Sequence, residues 1–385
     1  MKLALKLAYK NLIGAGLRTW LNVGVLAFAY LIILFFNGLT NGWSHQAQRD
    51  GIRWEFGNGH LLNPHYDPYD PFSVQDGHGT LEGADTKALM PMLVQQGSIY
   101  PDGRMVSILL KGIPEDQTEI AVPIAELKNS SAELPVMLGE RMAKSIKAAE
   151  GDKVLLRWRD HNGTFDAKEM TVAHIFNTEI PTVDNGTVWL PLDTLWHMTN
   201  LQGEASLFVA SEHFDPAQTA GWKFLSQEEL LKDTNDIINA ERFSDAIIYL
   251  MLLAIALIAV FDTQVLSVFR RQREIGTYVA LGMTRTQVVT LFTVEGSMYS
   301  IFAVVVGSVI GIPFFEYLAS IGIGLPESIQ SMGMMMGKRI FPLFSIQLII
   351  GTVLLIVATA TFVSYLPARK IARMNAVEAL KGKLQ

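Results

Sequence analysis

The stretch AIIYLMLLAIALIAVFDTQVLSVFRRQREIGTYVALGMT, residues 246–284, passes directly from an apolar run into a basic link punctuated by glycine. A hydrocarbon core about 30 Å thick asks for about 20 apolar residues of a helix rising about 1.5 Å per residue, and the first part of this stretch meets that length. Working outward, three more runs meet it, so spans are expected over 17–41 (centred on LNVGVLAFAYLIILFF), 244–269, 288–312 and 343–366. Residues 42–243 then form one insert of about 200 residues, enough for a folded domain. The remaining pieces are a leader over 1–16, a link over 270–287, an outer loop over 313–342 and a tail over 367–385. The fold class expected is a membrane α-helical protein of four transmembrane helices with an α+β extracytoplasmic domain between helices 1 and 2.

Composition narrows the function. Hydrophobic residues make up 50% and charged residues 18% of the chain, too apolar for an ordinary soluble enzyme and too polar for a bundle alone. A net charge of -6, with no basic stripe interleaved with aromatics, excludes nucleic acid as a partner. The absence of cysteine removes disulfides, thiolate chemistry and cysteine metal sites. No HExxH or GxSxG spacing occurs, DPYD lacks the periodicity of an EF-hand loop, and Gly333 to Lys338 is one residue short of a Walker A loop. No catalytic residue, metal site or cofactor is therefore expected in this chain.

Basic residues near span ends set orientation, because basic loops resist translocation. Lys2, Lys6, Lys10 and Arg18 precede the first span, Arg270, Arg271, Arg273 and Arg285 lie between the second and third, and Arg369, Lys370, Arg373, Lys381 and Lys383 follow the fourth. All three clusters fall on one side, the cytoplasm, which sends the insert outside. Lys338 and Arg339, in the outer loop, are outnumbered exceptions. Ala27-Phe28-Ala29 mimics a signal-peptide cleavage site, but the apolar run continues to Phe36, so an uncleaved anchor is expected. Leu3, Leu7 and Leu12 opposed to Lys2, Lys6 and Lys10 give residues 1–16 the pattern of an interfacial helix.

Inside the insert, Val154, Leu156 and Trp158 alternate with polar neighbours, Asn162-Gly163 supplies turn chemistry, and an apolar-rich stretch returns over Met170 to Phe176. This predicts a β-hairpin. Helical spacing is expected from Leu138 to Ala149, and short strands at Val188-Trp189-Leu190 and Leu207-Phe208-Val209. NPHYDPYDP, residues 63–71, predicts a turn-rich loop.

In the link, Gly282 is expected as a left-handed stop and Thr284 with Gln287 as a capping box opening the third span, which makes residues 270–287 a stiff elbow. Arg-Glu-Ile-Gly at 273–276 and Ala-Leu-Gly-Met at 280–283 resemble the signature joining two spans in the FtsX/MacB-like ABC transporter permeases. So do Leu138-Gly139 with Gly151-Asp152-Lys153-Val154, Gly59-His60, Glu295-Gly296, and the tail motifs Pro367-Ala368-Arg369 and Val377-Glu378-Ala379-Leu380. Ala376 replaces the family's usual proline and Asp262 its common asparagine.

The resemblance implies a permease subunit that transmits motion from a separate ATPase to the outer domain, nearest the lipoprotein-releasing branch, in a bacterial inner membrane. It implies two ATPase copies holding ATP and magnesium, a second permease copy, identical or paralogous, and a lipoprotein or other periplasmic cargo. Arg270, Arg271, Arg273, Glu274, Ile275, Gly276, Ala280, Leu281, Gly282, Met283 and Thr284 are the candidate ATPase-coupling residues. Asp262 and Glu295 are ionisable groups within spans, expected to face protein and not lipid. Gly307 and Gly311 form a GxxxG pair for close helix packing. The alternatives are a regulatory module activating a cell-wall hydrolase and an efflux permease for peptides or antibiotics.

Overall fold

A computed structural model describes residues 17–82, 88–217, 219–326 and 337–372. The expected leader helix over 1–16 and the tail motif over 375–380 lie outside the described residues. The chain divides into a helical unit (1–43, 238–323 and 341–385) and a β-rich unit (44–237 and 324–340).

Among the described residues, four helices are long and apolar enough to cross a membrane: α1 Leu17–Gly51, α4 Lys232–Arg270, α6 Arg285–Ile321 and α7 Ile346–Ala372. Each outlasts its apolar run. Hydropathy measures the length that suits lipid, whereas the helix ends only where its backbone is capped or broken. Small residues let the helices close up. A Cβ on Gly307 would lie 2.6 Å from the Tyr30 ring, and one on Gly311 would lie 2.5 Å from Leu31 Cδ2.

In the β-rich unit, β2 (Leu89–Ile99), β3 (Val106–Ile113), β7 (Thr187–Pro191), β4 (Pro135–Gly139), β6 (Phe165–Phe176) and β5 (Lys153–Arg159) pair in that order, and β5 returns to β2. The result is a closed ring of six strands. The first half of β2 also pairs with β8 (Leu207–Ala210), which continues to β1 (Gly59–Leu62) and β9 (Lys223–Ser226). Val154, Leu156 and Trp158 of β5 face one core with Leu93, Val136, Leu138 and Val172, so the alternation in the sequence marks that core. The hairpin and both short strands form where the residue pattern places them.

The helix expected from Leu138 does not begin there. Residues 135–139 are a strand, parallel to β6 and antiparallel to β7, and helix α2 covers only Glu140–Ile146. Met137 and Leu138 are fully buried and contribute to different cores, so their apolar side chains satisfy two faces of a strand. Gly139 marks the junction, since a Cβ there would lie 2.0 Å from Asp184 Oδ1.

Lys338, an exception to the charge asymmetry, is held by carboxylates of this unit. Its ammonium pairs with Glu140 and donates to Asn177 Oδ1 at 3.1 Å, while its backbone N–H donates to Glu179 Oε2 at 2.5 Å. Hydrogen bonds from Lys144 and Lys338 hold the Glu140 carboxyl down at about 2.

His60 is buried with Nε2 3.0 Å from the Glu55 carbonyl, and Glu55 and Lys111 are the charges facing it. Burial holds its imidazole below the ordinary value. The unfolded chain therefore takes up a proton below about pH 6.5 that the folded chain refuses, and stability is lost as pH falls through that value. Expressed alone, residues 44–237 should unfold cooperatively, with a denaturant midpoint that falls between about pH 7 and pH 5. His60→Gln should flatten that fall, and an unchanged pH dependence in the variant would assign it to other groups.

Candidate functional site

The link between α4 and α6 is built from its ends inward. Helix α4 stops at Arg270, and the Arg271 N–H is shared between the carbonyls of Ser267 and Val268, both at 3.2 Å. A short helix, α5 (Gln272–Ala280), follows with Ile275 and Gly276 buried and Arg273, Glu274 and Thr277 exposed. Gly282, at φ 99°, then reverses the chain. Its N–H reaches Val279 O and that of Met283 reaches Tyr278 O, each at 3.0 Å, a Schellman closure that needs a residue tolerant of positive φ. Thr284 Oγ1 accepts from Gln287 N while Gln287 Oε1 accepts from Thr284 N, so the expected capping box opens α6.

Arg271 braces this turn. Its Nη1 donates to both Glu295 oxygens at 2.8 Å and its Nε to Glu274 Oε2 at 2.7 Å, with the guanidinium 5.1 Å from the centre of the Phe292 ring. Glu295 is buried ten residues along α6, about 15 Å from its start. The pair ties the break after α4 to the body of α6. Beside it, a Cβ on Gly296 would lie 2.3 Å from Ser364 Oγ of α7 and 3.0 Å from Gln264 Nε2 of α4, so three helices converge there. Gln264, Gln272 and Ser364 are buried, and their Nε2, Nε2 and Oγ atoms have no partner among the described residues.

The structure thus joins Arg271 and Glu274, both expected in the coupling link, to Glu295, which the sequence placed apart from them within a span. Ile275 and Met283 pack with Val268, Val288, Phe292 and Ala368 under the turn. Arg270, Arg273, Ala280, Gly282 and Thr284 are exposed, and Leu281 at the tip is 79% exposed. Asp262 lies on an exposed face of α4, apart from the brace. Gly296 was marked only as part of the Glu295-Gly296 motif, and the roles of Phe292, Gln264, Gln272 and Ser364 around it were not anticipated, since no local pattern signals them. In the β-rich unit a cleft of 1010 Å³ is lined by Gln95, Tyr100, Arg157, His161 and Phe165 among others, with Arg157 4.2 Å over the Phe165 ring.

The sequence profile described as FtsX-like permease C-terminal matches residues 246–376, a stretch that contains the whole braced turn. Residues 246–376 are thus similar to the C-terminal region of the FtsX-like permeases. Among curated proteins, an uncharacterized ABC transporter permease of Methanocaldococcus jannaschii is 25% identical over 159 residues, 41% of this chain and 37% of the relative. The macrolide export ATP-binding/permease protein MacB 2 of Aeromonas hydrophila is 29% identical over 209 residues, 50% of this chain and 30% of the relative. The chain thus spans well under half the length of these relatives. A crystal structure of the extracellular domain of the ABC-type transporter YknZ from Gram-positive bacteria aligns with 46% of this chain and 94% of that one, at 14% identity and a TM-score of 0.24.

Removing one partner of a buried ion pair costs about 3–5 kcal/mol, because the other charge is left uncompensated. In the FtsX-like region Glu295→Ala should therefore lower the melting temperature of the detergent-solubilised protein and expose the underside of the turn. A single cysteine at Ile275, in a chain otherwise free of cysteine, should react with maleimide faster in that background. Equal labelling rates would mean that the brace does not hold the turn.

Proposed function

We propose that this chain is the permease subunit of an ABC transporter, and that the braced turn over residues 270–287 receives force from a separate ATPase subunit. The observation that carries the reading is Leu281, a bare apolar side chain at the tip of a turn fixed by an ion pair, a Schellman closure and a capping box. An apolar side chain held out on a rigid support offers a partner a contact of fixed position, so little ordering is needed when the two surfaces meet. Ile275 and Met283 pack beneath the turn, Gly276 is buried beside them, and Arg270, Arg273, Ala280, Gly282 and Thr284 are exposed along the same link.

ATP and magnesium would be held by two copies of the partner, and this chain would contribute no catalytic group. Asp262 supports a second permease copy. A carboxylate on the exposed face of a membrane helix is costly against lipid, and a neighbouring chain would cover it. The cleft in the β-rich unit has the dimensions of a ligand site and supports contact with cargo there. Resemblance to the lipoprotein-releasing branch makes lipoprotein the proposed cargo and a bacterial inner membrane the proposed location, with the β-rich unit outside. The relative named for macrolide export favours a second reading, efflux of a small amphiphile.

Two measurements test this. A cysteine at Asn162 should react with an impermeant maleimide in intact cells, and one at Arg273 should not. Arg273 is exposed, whereas the neighbouring Gln272 is buried and would resist labelling on either side. Leu281→Asp and Gly282→Val should insert normally yet reduce co-purified ATPase roughly tenfold or more. Recruitment and stimulated hydrolysis at wild-type levels in both variants would refute the docking role.

A further inference from the structure

The start of α6 and the end of α7 enclose a groove of 340 Å³, apart from the brace, lined by Arg285, Thr286, Val289, Thr290, Thr293, Val294, Tyr365 and Arg369. Its two ends differ in chemistry. At one, Arg285 opens α6 and Arg369 closes α7, the Arg369 guanidinium standing 6.0 Å from the centre of the Tyr365 ring. Neither guanidinium has a carboxylate partner among the described residues. From there Val289, Thr290, Thr293 and Val294 follow at helical spacing, carrying the groove about 13 Å along α6 into its apolar run. Thr293 Oγ1 is buried with no partner among the described residues, while the Thr290 hydroxyl donates to Thr286 O at 2.9 Å and its oxygen can still accept.

We infer that this groove binds one anionic phospholipid of the leaflet facing the elbow, its phosphate between Arg285 and Arg369 and one acyl chain along Val289 and Val294. A soluble anion would use the arginines but leave the apolar length empty. A docked protein segment would have no reason to follow a groove running inward along a membrane helix. Two guanidiniums at the interface with an apolar channel beyond them match the two parts of a single amphiphile, and basic pockets between membrane helices are known takers of acidic headgroups. Bound there, the lipid would clamp α6 to α7 next to the elbow. The inference concerns the permease alone and does not depend on the transport reading.

Native mass spectrometry of the delipidated full chain tests it, with phosphatidylglycerol, chain-matched phosphatidylcholine and glycerol phosphate as probes. One phosphatidylglycerol should be retained per chain at concentrations where phosphatidylcholine is not, and glycerol phosphate should not displace it. Arg285→Gln with Arg369→Gln should weaken retention roughly tenfold or more. Val289→Phe, which narrows the channel and leaves both charges, should weaken it as well. Equal retention of both lipids, displacement by glycerol phosphate, or unchanged binding in the double variant would each overturn the assignment. Loss of ATPase recruitment in the double variant, with lipid retention intact, would overturn it in favour of a protein-docking surface.

Discussion

The Arg271–Glu295 ion pair sets the geometry of the helical unit where the chain turns back. Two charges at 2.8 Å in an apolar setting are tolerated only because each satisfies the other, and with Nη1 shared between both Glu295 oxygens while Nε is held by Glu274, the guanidinium is fixed from two sides. Since Arg271 sits at the break after α4 and Glu295 well inside α6, the pair fixes the offset between two helices that sequence separates by a short link. The remaining features of the turn obey that offset. Ile275 must face inward, the chain must reverse at Gly282, and Leu281 is left outside. A buried ion pair contributes little net stability compared with an apolar substitute, so its value here lies in defining one register.

Around this brace the packing is uneven. Gly307 and Gly311 let α1 approach α6 until ring and methyl groups touch the backbone, which makes that contact stiff. Near the brace, Gly296 brings α6 against Ser364 and Gln264, but Gln264 Nε2, Gln272 Nε2 and Ser364 Oγ lack partners among the described residues. Unpaired buried donors cost about 1–3 kcal/mol each, so a small rearrangement that paired them would be favourable. The turn is therefore rigid at its tip and underdetermined at its root.

Much of this was legible beforehand, for physical reasons that also explain what was not. Apolar run length exposes the spans because lipid tolerates nothing else. Alternation in Val154, Leu156 and Trp158 exposes the hairpin because one face is dry. Thr284, Gln287 and Gly282 expose the turn because capping and positive φ are local demands. What escaped depends on residues far apart in sequence: closure of the ring between β5 and β2, the carboxylates awaiting Lys338, and the partner of Glu295. The strand at Pro135–Gly139 escaped for another reason, since a strand buried on two faces is apolar throughout and shows no period.

The same long-range pairing alters what the basic residues mean. Counted along the sequence, they form three clusters on one side and two exceptions on the other. In the folded chain, Arg271 is internal, neutralised by Glu295 and Glu274, while Arg285 and Arg369 face an open groove. Lys338 is held by a carboxylate kept ionised to about pH 2, so it is not a free cation. A count that treats every arginine and lysine as an equal anchor therefore misjudges the charge pattern. One exception is neutralised within the β-rich unit, while Arg270, Arg273, Arg285 and Arg369 of the helical unit remain exposed.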